Sequence, residues 1–330
     1  MSKTALLFAG QGAQTVGMGK DLADRFPSAK AWFDRANAAL GYDLPGICFN
    51  GPEAELTKTE NAQPGIFLVS WVCFELLKEQ VGVQASACPP GTLKRELQLK
   101  FDATAGLSLG EFTALTAAGA MSFEDGLRVV RQRGKFMQEV CDATRGGMAA
   151  VIGLDEAPTR EVCAEAGVVL ANLNCPGQLV ISGEAEKITK ACELAKAKGA
   201  KRAIPLPVAG AYHSPLMAGA QPKLKAELEN VLFSPPIVPV ISNVNAQPYD
   251  SRGQIESALD ISITLVAQIT SSVLWEKSMR NLLAQGFTRF IELGPGAALS
   301  GFMKRIDKSA QMLNVADTAS LEATVRALLI

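Results

Sequence analysis

Two hydrophobic rhythms alternate along the chain. Short apolar runs closed by glycine or polar residues predict buried strands, and longer stretches with apolar residues at helical spacing predict amphipathic helices. Residues 4–9 (TALLFA) form the first run, which ends at Gly10. Helical spacing follows at 18–40 and 64–80, then a second strand at 101–107. A helix opens at Ser108 and continues through EFTALTAAG, and another covers 122–140. Residues 84–100 (QASACPPGTLKRELQLK) are polar and carry a Pro-Pro-Gly breaker, which marks a surface excursion.

The order of elements then changes. Strands are predicted at 148–154, 168–174, 178–183 and 204–208, with helices at 155–166 and 184–198. This is the β-α-β-β-α-β order of a ferredoxin-like module, and it defines a small α+β domain at 141–207. The larger pattern resumes with strands at 238–242 and 289–293 and helices at 215–231, 256–266, 272–285 and 297–306. Residues 1–140 and 208–330 are therefore expected to form one discontinuous α/β domain with a mainly parallel sheet, into which the small domain is inserted.

Composition narrows the function classes. The chain has 330 residues, of which 48% are hydrophobic and only 6% aromatic, so a large core must be built from Ala, Val, Leu and Ile. A net charge of −1 gives no electrostatic footprint for nucleic acid. One local run is basic (Lys187, Lys190, Lys196, Lys198, Lys201 and Arg202). It reads first as a solvated helix face and second as a docking surface for an acidic partner. Seven scattered cysteines without a C-x-x-C spacing point to reduced core thiols. The apolar run at 5–9 is too short for a secretory leader and no stretch is long enough to span a bilayer, so a cytoplasmic protein without a membrane partner is expected. A single histidine excludes a multi-histidine metal site.

The strongest chemical signal is Gly106-Leu107-Ser108-Leu109-Gly110, a G-x-S-x-G between a predicted strand and a predicted helix. That context suits a nucleophile elbow, with free N–H groups at the helix N-terminus for a developing oxyanion. The competing reading is a Ser108 N-cap with Glu111 at N3, a capping box. A serine nucleophile needs a base, and His213, in the small-residue turn AGAYHSP, is the only imidazole available. No Asp or Glu stands out as a third member, and a main-chain carbonyl would orient the ring equally well. Gly10-Gln11-Gly12 fails the dinucleotide pattern because position 15 is Thr. It better suits a loop that brings a second N–H, near Gln11, to Ser108. Arg128, Arg131 and Arg133 lie on the helix after the elbow helix, and one buried arginine among them would hold a substrate carboxylate; spacing does not choose among them.

Together these residues resemble the malonyl-CoA:acyl carrier protein transacylase family. The similar segments are LLFAGQGAQTVGMG (6–19), GLSLGEFTAL (106–115), RQRGKFMQE (131–139), NLNCPGQLVISG (172–183), AYHSPLM (211–217), VISNVNAQP (240–248) and IELGPGAALSGF (291–302). The resemblance implies a hydrolase-like large domain with a ferredoxin-like insert. It implies Ser108 as acyl carrier, His213 as base, main-chain N–H groups of Gln11 and Leu109 as the oxyanion hole, Arg133 as the malonyl carboxylate site, and Gln268 as the residue whose carbonyl orients the histidine. The implied reaction is ping-pong transfer of malonyl from malonyl-CoA to the phosphopantetheine thiol of acyl carrier protein in fatty acid synthesis. CoA and phosphopantetheine thioesters would be substrates, no metal or other cofactor would be needed, and the enzyme would be a monomer. The same Ser–His pair would also serve a serine thioesterase, and a non-catalytic carrier-binding scaffold is a third possibility. The chain departs from the family at Leu107, where His is usual, at Ser272 and Leu274, where Pro and Arg are common, at Tyr212, where Phe is typical, and in the length of 84–100.

Overall fold

The computed structural model describes residues 3–86, 99–249 and 255–329. Most of the polar excursion expected at 84–100, with Cys88, lies outside the described residues.

Two sheets organise these residues. The first has the order β7-β2-β1-β8-β9, where β1 is Lys3–Phe8, β2 Ala103–Gly106, β7 Val240–Ile241, β8 Phe287–Leu293 and β9 Gln311–Val315. All its pairings are parallel. Its central strand is buried along nearly its whole length, as a parallel strand covered on both faces must be. Leu6 and Phe8 join the apolar cluster on one face, while Ala5 and Leu7 join a second cluster with Trp275 and Phe290 on the other. Helices Thr59–Ser86 and Phe123–Ala143 pack together on the first face.

The second sheet has the order β4-β5-β3-β6, from β3 (Gly146–Ile152), β4 (Val169–Cys175), β5 (Gln178–Glu184) and β6 (Arg202–Pro205). Its pairings are antiparallel, and with helices Glu156–Ala166 and Ala185–Ala197 it forms the ferredoxin-like unit. The basic run follows the second of these helices, where Lys187 pairs with Glu184 at 2.8 Å and Lys198 with Glu161 at 2.7 Å. The run is a solvated face, with Lys190, Lys196, Lys201 and Arg202 exposed. The small sheet is tied to the large domain through Val273, a loop residue ahead of the helix Trp275–Ala284 that bridges to β4: Leu173 N–H donates to the Val273 carbonyl at 2.9 Å and Val273 N–H to the Ala171 carbonyl at 2.8 Å. Ser272, one of the departures, donates its hydroxyl to the Leu170 carbonyl at 2.5 Å and so adds to this seam.

Some boundaries differ from expectation for local reasons. The helix expected at 18–40 is two, Lys20–Arg25 and Pro27–Leu40, because Phe26 precedes proline and takes the extended conformation. The hydrophobic pattern predicts neither β9 nor the helix Thr318–Leu329: β9 is a half-buried edge strand, so its polarity neither alternates nor runs apolar. The strand expected over 101–107 closes at Gly106 and the next helix begins only at Gly110. The intervening residues make the sharp turn at Ser108.

That turn has no room for a side chain at Gly106, where a Cβ would lie 1.9 Å from the Gly110 carbonyl. Gly106→Ala is expected to lower the unfolding free energy by at least about 2 kcal/mol. Gly301, in the helix Ala298–Ile306, has nothing within 4 Å of the equivalent position. There Gly301→Ala should stabilise by roughly 0.4–1 kcal/mol. Urea midpoints of the two variants check both signs.

Candidate active site

The strand β2 delivers Ser108 at its carboxyl end with φ 52°, one of three left-handed non-glycine residues among those described; His213, at φ 56°, is another. Strain of this kind persists only where the surroundings hold it. Here Asn243 spans the turn: its Oδ1 accepts the Ser108 N–H at 2.7 Å, and its Nδ2 donates to the Gly106 carbonyl at 2.7 Å. The capping-box alternative fails. The Glu111 carboxylate is fully buried and accepts from the Asn243 N–H at 3.1 Å, from Gln268 Nε2 at 2.6 Å and from the Tyr249 hydroxyl.

His213 closes on the serine from the turn before the short 3-10 helix Pro215–Ala220. Its Nε2 lies 2.8 Å from Ser108 Oγ, and its Nδ1 lies 3.0 Å from the main-chain carbonyl of Gln268. That carbonyl sits at the end of the helix Ile255–Gln268, where carbonyls lack helical partners. Donation from Nδ1 to it leaves the Nε2 lone pair facing the hydroxyl.

The three arginines separate by environment. Arg128 is exposed and pairs with Asp125. Arg131 lies over the Tyr42 ring at 4.6 Å. Arg133 is buried and turned toward the serine: Nη2 donates to Ser108 Oγ at 3.1 Å and to Gln268 Oε1 at 3.0 Å, and Nη1 donates to Gln63 Oε1 at 2.7 Å. Its Nε has no partner, and no carboxylate lies within ion-pair distance among the described residues. Burial is the main reason its value is pushed down to about 10.

Gln11 follows β1 in a loop that touches the elbow. At Gly10 a Cβ would stand 2.5 Å from the Leu107 carbonyl, so only glycine allows this approach. The main-chain N–H groups of Gln11 and Leu109 have no acceptor among the described residues. Leu107 packs against the cluster that contains Trp275, and Tyr212 is fixed by a 2.8 Å hydrogen bond between its hydroxyl and Thr59 Oγ1. The structure thus gathers Ser108, His213, Gln268 and Arg133 into one hydrogen-bonded group, with Gln11 and Leu109 bordering it. Sequence reading gave no role to Gln63, Asn243 or Tyr249. Gln63 lies just ahead of the helical spacing at 64–80, beside the polar Glu60 and Asn61, and carries no local signal; Asn243 stands within VISNVNAQP.

Residues 5–323 match the acyl transferase domain family. The chain belongs to this family. It is 44% identical to the malonyl CoA-acyl carrier protein transacylase of Bacillus subtilis (strain 168), over 99% of this chain and 98% of that one. The acyl-carrier-protein-S-malonyltransferase of Bartonella henselae has a similar structure (TM-score 0.88, 38% identity, 99% of this chain and 100% of that one). So has a malonyl-transacylase solved in complex with its type II PKS acyl-carrier protein, at TM-score 0.89 and 36% identity, covering 99% of this chain and 100% of that one. No helix among the described residues is long and apolar enough to cross a membrane, and they contain no group of three candidate metal ligands.

The electrostatics of this acyl transferase site favour a neutral imidazole. Burial, reinforced by the Arg133 charge, pushes His213 down to about 4 from its ordinary 6.5. Glu111 moves the other way: burial raises it to about 7, while its three donors and the Arg133 charge restrain the rise. Because the folded His213 value lies below the unfolded one, the stability tied to the neutral ring is complete above pH 6.5 and is lost as pH falls through about 4. The acid limb of Ser108 labelling by a fluorophosphonate should accordingly fall with a midpoint near 4, not 6.5. A midpoint near 6.5–7 would mean either that the ring is solvated and free of Arg133 or that labelling requires the Glu111 carboxyl, raised to about 7, to be ionised.

Proposed function

We propose that this protein transfers a malonyl group from malonyl-CoA to the phosphopantetheine thiol of acyl carrier protein, through an ester on Ser108, and so supplies fatty acid synthesis. The observation that carries this reading is Arg133: a buried guanidinium, without a carboxylate partner among the described residues, donating to the nucleophile's own Oγ. A general hydrolase has no need of such a group, whereas the free carboxylate of a malonyl thioester supplies the missing anion.

In the first half-reaction the malonyl carboxylate pairs with Arg133, which sets the thioester carbonyl beside Ser108 Oγ. His213 Nε2 takes the hydroxyl proton as Oγ attacks, and the Gln268 carbonyl, accepting from Nδ1–H, stabilises the imidazolium. The N–H groups of Leu109 and Gln11 hold the oxyanion. Collapse expels the CoA thiolate, which takes the proton from His213. In the second half-reaction His213 deprotonates the incoming phosphopantetheine thiol, the sulfur attacks the ester carbonyl, and Ser108 Oγ leaves as it takes that proton back from His213 Nε2. The thioesters bring all the reactive chemistry needed, so no metal or further cofactor takes part. The Tyr212 ring, pinned by Thr59, narrows the pocket against an α-methyl branch and favours malonyl over methylmalonyl.

The partner assignment is supported by the similar malonyl-transacylase that was solved with its acyl-carrier protein. Residues 1–140 with 208–330 act as the catalytic domain and 141–207 as the inserted domain, a division supported by the separation of the two sheets. The enzyme works as a monomer in the cytoplasm; the six described cysteines, all free and buried, suit a reducing compartment.

Intact-protein mass spectrometry after mixing with malonyl-CoA tests the reading. Wild type should carry one malonyl adduct, stable in buffer until carrier protein is added, and Ser108→Ala none. Arg133→Ala should lose about 3–5 kcal/mol in malonyl kcat/KM and gain relative preference for acetyl-CoA. Steady release of free malonate without an adduct would instead mark a thioesterase.

A further inference from the structure

One buried carboxylate lies directly behind the nucleophile and takes no part in the steps above. Glu111 stands in the first turn of the helix Gly110–Ala117 with no solvent exposure. Its partners each lead to a different reacting group. Asn243, held through its N–H at 3.1 Å, clamps both sides of the Ser108 turn with its side-chain amide. Gln268, held through Nε2 at 2.6 Å, does three further things. The same Nε2 donates to the Ser108 carbonyl at 2.9 Å, Oε1 accepts from Arg133 Nη2 at 3.0 Å, and the main-chain carbonyl accepts from His213 Nδ1 at 3.0 Å.

A helix-to-loop tie would account for any one of these bonds. It does not account for a single carboxylate oxygen that receives both the residue spanning the nucleophile and the residue orienting the base. Asn243, Gln268 and Glu111 come from three separate segments of chain. Without a common acceptor, one of the two Gln268 Nε2–H groups and the Asn243 main-chain N–H would be left buried and unpaired, and both segments would shift to find other partners.

We propose that Glu111 is a positioning residue for acyl transfer: its carboxylate fixes Asn243 and Gln268, and through them the mutual placement of Ser108, His213 and Arg133. The proposal rests on the Ser108–His213 reading given above. A carboxylate that acts by offering acceptor oxygens is replaceable by an amide, whose oxygen still faces Gln268 and Asn243 while its nitrogen meets the Tyr249 hydroxyl as an acceptor.

Glu111→Leu, Glu111→Gln and Glu111→Asp test this, each assayed per folded molecule for two rates. One is single-turnover malonyl loading from malonyl-CoA. The other is Ser108 labelling by a fluorophosphonate, which needs the Ser–His pair but no carboxylate site. Glu111→Leu is expected to slow both rates roughly a hundredfold, as misplacement of reacting groups by an ångström does. Glu111→Gln should hold both within about tenfold of wild type. Folded Glu111→Leu at wild-type rates, or Glu111→Gln as slow as Glu111→Leu, would overturn the proposal. Should Glu111→Leu not fold, Glu111→Asp takes its place: one methylene shorter, it should slow both rates at least about tenfold, and wild-type rates in the folded Asp variant would overturn the proposal equally. Wild type that labels but never loads malonyl would sink the malonyl-transfer reading, and the labelling rates alone would then judge Glu111.

Discussion

A residue with a Cβ does not rest at φ 52° unless its neighbours hold it there, and at Ser108 they do so from three directions. The cost of the conformation is on the order of 1–3 kcal/mol. Against it stand the paired end of β2, the helix that starts at Gly110, and the Asn243 side chain bridging Gly106 and Ser108. Relaxation would let the serine become an ordinary N-cap, with its hydroxyl turned onto the helix N–H groups. The fold prevents that by occupying the local alternatives. Glu111, the residue that would complete a capping box, is bound by Asn243, Gln268 and Tyr249. The hydroxyl is left to meet His213.

Once the turn is fixed, the electrostatics of the site follow from burial. The imidazole, the guanidinium and the Glu111 carboxyl lie within one hydrogen-bonded network that water barely reaches, and burial is the largest influence on all three. Arg133 favours a neutral imidazole and an ionised Glu111, so one buried cation biases both groups toward the forms the proposed chemistry uses. Gln268 makes that coupling tight, because one side-chain amide accepts from Arg133 and donates to Glu111.

Much of this was legible in the chain. The alternation of strands and helices gave the parallel sheet, and the β-α-β-β-α-β order gave the second one. Gly106-Leu107-Ser108-Leu109-Gly110 marked the turn, and a lone histidine left one candidate for the partner. What escaped was information that exists only in three dimensions. Arg128, Arg131 and Arg133 share a helix and a chemistry; they differ only in which face meets the core. Glu111 reads as a capping residue because three positions separate it from Ser108, and nothing local reveals that Asn243, Tyr249 and Gln268 return to it. The edge strand β9 was missed because an edge sees one neighbour and half the burial, which erases the apolar run that marks β1.

The choice of partners for Arg133 ties these strands together. A buried guanidinium with a permanent carboxylate would be stable and closed to substrate, since an incoming anion would have to displace one already in place. A buried guanidinium with no partners would be costly and mobile. This site takes a middle course: two glutamine oxygens, Gln63 and Gln268, and the serine hydroxyl satisfy the Nη groups with dipoles rather than charge. Under the proposed reaction, a malonyl carboxylate outcompetes neutral acceptors for the same donors, while Glu111, one amide removed, compensates part of the charge without blocking the site. An acyl group without a carboxylate makes no such exchange, so selectivity arises from which donors are held by dipoles and which by charge.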